Sequence, residues 1–549
     1  MVDKPIVKNG ENGDLRAISP AEFFEKNRHL LGFDNPIKAL LTSVKEAVDN
    51  SLDACEGHKI LPDVYIQIQK INETRYKMIV EDNGPGISKE HVSKAFGKLL
   101  YGSKFQTFGG KQGRGQQGIG ISASIMYGQL TTGRPARIIS KTKGMKQALV
   151  LELKIDIKTN EPQIVSETYI DWKNEHGTRV EIELEAKYME KKASVVEYVK
   201  QTAVVNPHAK IIFVDPEGQK TIFERVVDKL PKEPEFIKPH PYGVELGVLL
   251  RMLKETSTRA LNSFLTTEFD KVGATSAEEI LKTCGLDPKI MPKLLSVEQA
   301  DKLIKAMHGC KIMSPTTTCL SPIEDANLKK ALEAEYDLEF AFAVTRPPSV
   351  YRGNPFLIEV AIGYGGELTA DQPVRLIRFA NRVPLLYQQG ACALTKAITS
   401  VDWKNYGLQQ SGQNVPNGPA IILVHMASVW APFTSESKEA VAHYPEIIKE
   451  AKLALQEAGR QLQLYVGKKQ KKQLAVRKAD MFRLYSIELS EALSALTGKA
   501  KEPIHKQLNK LTEEMLKLGA IEEEEAKSAE EKAKPKRKLG AFKGGDDDE

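Results

Sequence analysis

Residues 46–53 read Glu-Ala-Val-Asp-Asn-Ser-Leu-Asp, and this stretch constrains the chain more than any other. Wound as a helix at about 100° per residue, it puts Glu46, Asp49, Asn50 and Asp53 on one face. Ile37, Leu41, Val44 and Val48 fall on the opposite face and supply an apolar anchor. The expected start is sharp: Asn35 can cap the first turn and Pro36 occupies the first helical position. Gly57 marks the expected stop.

Two further segments separate this helix from an ordinary solvated one. Val64, Ile66 and Ile68 alternate with polar residues, and a second apolar run follows at residues 77–80. That is a hairpin pattern. It delivers Asp82 to a strand end just before Gly84-Pro85-Gly86. A ligand can approach such backbone closely, and a carboxylate there can accept from an exocyclic amine. Downstream, Gly109, Gly110, Gly113, Gly115, Gly118 and Gly120 crowd into twelve residues. Glycines at this density leave N–H groups free to point at an anion, and the helix that follows adds its positive end. Gly113-x-Gly115-x-x-Gly118 fits the dinucleotide fingerprint literally, but a long polar loop precedes it where a strand is required. A Walker A loop needs Ser or Thr after Gly-Lys, whereas Gln112 follows Lys111. A kinase loop needs a downstream Val-Ala-Ile-Lys strand, which is missing. The expectation is a lid over a nucleotide.

In this order and spacing the three segments resemble the boxes of the GHKL ATPases, which include gyrase B, MutL, heat-shock chaperone ATPases and histidine kinases. His176-Gly177-Thr178 resembles the fourth box. The resemblance implies a role for each matching residue. Glu46 would be the general base on the attacking water, and Asn50 would hold Mg²⁺. Asp82 would read the adenine amine, with Thr178 beside it. Gly115, Gln116, Gln117, Gly118, Ile119, Gly120, Ile121 and Ser122 would wrap the phosphates of ATP. Phosphoryl transfer is mostly positioning and charge stabilisation, so one base, one metal ligand and many donors suffice.

At 549 residues the chain exceeds one hydrophobic core and suggests three or four domains. With 41% hydrophobic and 27% charged residues it reads as globular rather than membrane-embedded or disordered. Cys55, Cys284, Cys310, Cys319 and Cys392 are scattered and lack C-x-x-C spacing. That predicts reduced thiols, a cytoplasmic setting and no zinc site. No secretory segment and no apolar run of membrane-spanning length is visible. A net charge of +6 permits nucleic-acid binding without requiring it.

The predicted architecture is α+β and multidomain. Residues 1–230 comprise a polar arm and an ATPase α/β sandwich (the Bergerat fold). The capping pattern Ser19-Pro20-Ala21-Glu22 opens its first helix. A proline-rich joint follows, and residues 231–312 read as short helices, with starts expected at Ser276 and Ser296. Residues 313–483 return to strands and end in a long stalk helix opened by Pro445. Strands are expected at 338–344, 356–362, 374–379 and 420–425. Residues 484–549 are a helical segment and a tail of charge blocks too polar to bury a core.

Arg378-Phe379-Ala380-Asn381-Arg382 partly resembles the Phe-Val-Asn-x-Arg signature of the transducer domain in gyrase B and MutL. Residues 430–438 read as a loop ending at a helix start. By that resemblance Lys438 would reach back to the γ-phosphate. A helical block between ATPase and transducer is absent from gyrase B and MutL. It is similar to the helix-two-turn-helix domain of the type IIB topoisomerase B-subunit family (topoisomerase VI). The words Tyr101-Gly102-Ser103-Lys104-Phe105 and Phe433-Thr434-Ser435-Glu436-Ser437-Lys438 also resemble that family. By similarity Ser103 and Lys104 would join the nucleotide site.

Membership would imply an A2B2 heterotetramer in which the A subunit cleaves double-stranded DNA. The B subunit would bind ATP and Mg²⁺, form a self-dimer on ATP binding, and gate passage of a duplex. The complex would relax positive and negative supercoils and decatenate DNA. A MutL-like mismatch-repair clamp is the alternative, and the helical block argues against it.

Overall fold

A computed structural model describes residues 17–102, 108–115, 118–189, 194–511 and 514. The remaining stretches include Ser103, Lys104, Gln116, Gln117, most of the N-terminal arm and the charge blocks of the C-terminal tail, which therefore lie outside the described residues. The chain divides into two units, residues 1–462 and 463–549.

The first unit opens with helix α1 (Pro20–Lys26), whose Ser19 cap accepts from the Glu22 amide at 3.0 Å. Helix α2 (Pro36–Gly57) runs between the expected bounds, and Asn35 accepts from the Lys38 amide. Its face carrying Leu41, Val44, Val48 and Leu52 is buried against an eight-stranded sheet. The strands are β1 (Asp63–Lys70), β2 (Arg75–Asp82), β3 (Ala136–Lys141), β4 (Ala148–Asp156), β5 (Glu161–Ile170), β6 (Gly177–Glu185), β7 (Lys210–Val214) and β8 (Lys220–Phe223). Their order is β5-β4-β3-β6-β2-β1-β7-β8, and only the β1–β7 pairing is parallel. Helices α3 (Lys89–Gly97), α4 (Gly120–Thr132) and α5 (Val195–Val205) complete this layer. β2 and β6 pair so that Asp82 lies opposite Thr178, which unites the second and fourth sequence boxes.

Four helices follow: α6 (Leu246–Glu255), α7 (Leu261–Glu268), α8 (Ala274–Cys284) and α9 (Val297–Gly309). They enclose a core of their own that includes Phe264, Ile280 and Leu303. α9 starts as expected, with both halves of the capping box formed by Ser296 and Gln299. α8 does not: it begins at Ala274 under Gly273, before Ser276. Ser276 therefore sits inside the first turn, where its hydroxyl is no cap. Phe264 is fully buried, so Phe264→Ala should cost about 3–5 kcal/mol of stability in this block. Urea titration of the parent and the variant measures it.

A second sheet is preceded by α10 (Asp325–Glu335). It contains β9 (Phe340–Thr345), β10 (Ser349–Tyr351), β11 (Asn354–Tyr364), β12 (Arg375–Ala380), β13 (Val383–Pro384) and β14 (Ala420–Ser428). β11 and β14 are antiparallel, and β12 runs parallel to β14. All nine residues of β14 are buried, as expected for a central strand covered on both faces. Helix α11 (Ala393–Thr399) packs nearby, and α12 (Pro445–Thr497) opens at the expected proline. Ala451, Leu455, Ala458 and Leu462 are buried along it, whereas Ile448 is half-buried and Ile447 takes the inward position.

The described residues of the second unit form a helical hairpin. The end of α12 meets a helix at residues 501–511 through Ser486–Asn509 at 2.8 Å and Lys501–Glu491 at 2.6 Å. Among the described residues no helix is long and apolar enough to cross a membrane.

Candidate functional site

A cavity of about 1510 Å³ opens between α2, the glycine-rich loop and the loop before α12. Glu46 and Asn50 line it from α2, and Gly115, Gly118, Ile119, Gly120 and Ile121 line it from the glycine-rich side. Pro85, Gly86 and Ile87 form another wall, and Lys438 enters from the loop that follows β14. α4 starts at Gly120, so its amide end faces this space. Gly120 has a steric reason to be glycine: a Cβ there would sit 1.8 Å from Glu46 Oε2. Gly86 has a conformational one, with φ +72° and a Cβ position 2.1 Å from the Lys141 carbonyl.

The Lys438 ammonium lies 3.7 Å from Glu46 Oε1. Burial would lower its pKa, but Glu46, Asp49 and Asp53 outweigh that and raise it. The loop that carries Lys438 is not the lead-in to a helix that the sequence suggested. Phe433 and Val441 bridge its base, the Thr434 amide donates to the Ala440 carbonyl, and α12 begins only at Pro445. Lys438 sits within that closed loop with φ +53°.

Four expected residues stand differently from a simple lining. Asp49, grouped by spacing with the polar face, is only 3% exposed and accepts from Tyr198 Oη at 3.3 Å. A helix face that is polar in projection has here turned partly toward α5. Asp82 is 6% exposed, and neither it nor Thr178 is among the residues lining the cavity. Its Oδ1 accepts from the Gly84 and Thr178 amides at 2.9 and 3.1 Å, and its Oδ2 accepts from Ser51 Oγ at 2.8 Å. Oδ2 thus keeps an acceptor position beyond Ser51. Ser122 is buried and donates to the Lys98 carbonyl at 3.0 Å, tying α4 to the end of α3 rather than facing the cavity.

Sequence reasoning gave no role to Arg114, which is 4% exposed. Its guanidinium donates to Asp53 at 2.7 Å, to both oxygens of Glu56 at 2.8 and 2.6 Å, and to Asn206 at 2.5 Å. Burial alone would raise Glu56, but Arg114, His208 and Arg382 outweigh it and hold the carboxyl well below its usual range. Arg382 approaches Glu56 at 3.8 Å, and Asn381 donates to the Gly113 carbonyl at 3.1 Å. Gln112 and Ser321 exchange two further hydrogen bonds. The base of the glycine-rich loop is therefore fastened to α2, to the end of α5 and to the β12–β13 turn of the second sheet. A signal existed: Asp53 and Glu56 are one helical turn apart, a ready seat for an arginine.

Two family models match the chain. The family described as histidine kinase-, DNA gyrase B-, and HSP90-like ATPase matches residues 38–185, and the topoisomerase VI B subunit transducer matches residues 315–478. The B subunit of type 2 DNA topoisomerase 6 from Archaeoglobus fulgidus is 52% identical over 459 residues, covering 83% of this chain and 76% of that protein. The chain belongs to the B-subunit family of DNA topoisomerase VI. The corresponding protein of Methanococcoides burtonii is 48% identical over 494 residues, covering 90% and 78%. That of Pyrococcus horikoshii is 35% identical over 565 residues, covering 94% and 98%. The chain is thus a subunit of an ATP-dependent type II topoisomerase with a GHKL ATPase fold, and the MutL-like alternative is not favoured.

Burial raises the Asp82 carboxyl to about 6, against the hydrogen bonds of Ser51, Gly84 and Thr178. A carboxyl raised on folding stabilises the fold below its unfolded pKa, and that stability is lost as pH rises through the folded value. Asp82 should therefore subtract on the order of 3 kcal/mol between about pH 4 and pH 6. Asp82→Asn should flatten that part of the stability–pH curve, as measured by denaturation at each pH.

Proposed function

We propose that the cavity holds ATP and that Glu46 is the general base for its hydrolysis. The observation that carries this reading is the convergence of Glu46, the glycine-rich loop and Lys438 on one space. Lys438 is the candidate γ-phosphate ligand. Asp82, backed by Thr178, is the candidate adenine reader through the remaining acceptor position of Oδ2. Gly115, Gly118, Ile119, Gly120 and Ile121 would cradle the phosphates. Ser122 would act through the start of α4, and Ser103, Lys104, Gln116 and Gln117 remain candidates by resemblance.

Among the described residues no cluster of three or more His, Cys, Asp or Glu side chains could hold a metal alone. Asn50 lines the cavity with an exposed side-chain amide, and one such oxygen fits Mg²⁺, which commonly takes one or two protein oxygens and fills its shell with phosphate and water oxygens. Asn50 would be the protein ligand, and the ion would neutralise phosphate charge. Glu46 would orient water and accept its proton. Lys438, held near Glu46, would balance the charge that develops on the γ-phosphate.

The domain reading proposed is 1–230 ATPase, 231–312 helix-two-turn-helix, 313–483 transducer and stalk, and 484–549 C-terminal segment. In the assembly, two copies of this chain would join two A subunits, dimerise on binding ATP and pass a DNA duplex through the break that the A subunits make, in the cytoplasm. Single-turnover ATP hydrolysis, with and without the A subunit, tests the whole reading. ATP turnover indifferent to the A subunit and to DNA would contradict the gate.

Glu46→Gln keeps the shape but removes the base. It should bind ATP and hydrolyse it about 10²–10⁴-fold more slowly, measured by single-turnover assay. Lys438→Ala should weaken binding of a non-hydrolysable ATP analogue and slow turnover while sparing ADP affinity, since ADP lacks the contacted group. Isothermal titration with both nucleotides distinguishes this from a structural role, which would weaken both equally.

A further inference from the structure

The Lys438 loop is held against α2 at two points, one on each side of Lys438. On one side Lys45, 8% exposed, donates from its ammonium to the Ser437 carbonyl at 2.9 Å. On the other, Lys38 forms an ion pair with Glu439, which is 5% exposed. Glu439 also accepts from Gln388 Nε2 at 2.6 Å and from Ser437 Oγ at 3.0 Å. Gly32 lies below, with its Cβ position 3.1 Å from Ser437 Cβ, so the corner before α2 abuts the same loop.

Lys45 is an unfavourable residue to bury at this place. It shares its surroundings with the Lys438 ammonium, and burial followed by that like charge lowers it to about 8. Asp49, Glu46 and Glu439 act in the opposite direction. An apolar side chain would fill the space without the desolvation of a cation. What the ammonium supplies is a directed bond to the carbonyl adjoining Lys438, whose backbone takes the left-handed conformation that a lysine seldom adopts.

We propose that Lys45 and Glu439 are positioning residues that clamp the loop so that Lys438 is aimed at the nucleotide cavity from α2 itself. The proposal rests on the reading of Lys438 given above. By this arrangement the helix that carries the candidate base also sets the reach of the candidate phosphate ligand. The two groups are then registered to one another rather than separately to the ligand.

The test is a double-mutant cycle in the full chain with its A subunit. Lys45→Met preserves the aliphatic length and removes the donor. It should slow ATP turnover by about 10–10²-fold, as a misplacement of the order of 1 Å would, and leave ADP affinity unchanged, since ADP lacks the group that Lys438 would contact. Combined with Lys438→Ala it should add nothing further, because its effect runs through Lys438. Parent-like turnover in Lys45→Met, or full additivity with Lys438→Ala, would overturn the clamp while leaving the role of Lys438 intact. Parent-like turnover in Lys438→Ala alone would overturn the nucleotide-site reading and the clamp together. If Lys45→Met does not fold, Glu439→Gln enters the same cycle with the same expectations and the same overturning outcomes.

Discussion

An ion pair between residues almost four hundred positions apart in the chain joins the two layers of the first unit at the cavity. Glu46 belongs to the helix that floors the first sheet, and Lys438 belongs to a loop leaving the second. Each is costly to bury alone, and a buried charge left without its partner destabilises strongly. The pair joins α2 to the loop leaving the second sheet at the cavity that both residues line. A γ-phosphate bound as proposed would compete with Glu46 for the ammonium. Such competition can convert a local charge event into a rigid-body response.

The same edge is secured a second time at the base of the glycine-rich loop. Arg114 joins Asp53 and Glu56 of α2, and Arg382 and Asn381 approach from the second sheet. Behind them His425 bonds Glu359 at 2.8 Å, and Glu359 accepts from the Ile323 and Glu324 amides. A buried polar network of this kind is stabilising only when its members are paired. The loop therefore departs from a fixed point at Gly113–Arg114, and the glycines that follow lie where backbone can approach a phosphate.

Much of this was legible from spacing. The cap at Asn35, the hairpin that ends at Asp82, the capping box at Ser296 and the opening of α12 at Pro445 are local decisions, made by neighbouring residues. The GHKL boxes were legible through resemblance to a known family, because each is a short contiguous run of residues. The clamp at Lys45, the Arg114 seat and the partners of Arg382 were not, because each joins segments separated by dozens to hundreds of residues. Asp49 shows the limit from the other side: helical projection put it with Glu46 and Asn50, but packing against Tyr198 decided its burial. Ser276 failed as a helix start because Gly273 offered an earlier N-terminus.

One nucleotide bridging α2 and the glycine-rich loop to the Lys438 loop that follows β14 is tested most directly by a structure with a non-hydrolysable ATP analogue and Mg²⁺. The account predicts the γ-phosphate between Gly118–Ile121 and the Lys438 ammonium, with that ammonium in hydrogen-bonding range of a phosphate oxygen. A γ-phosphate held only by α2 and the glycine-rich loop, with Lys438 still paired to Glu46, would contradict it.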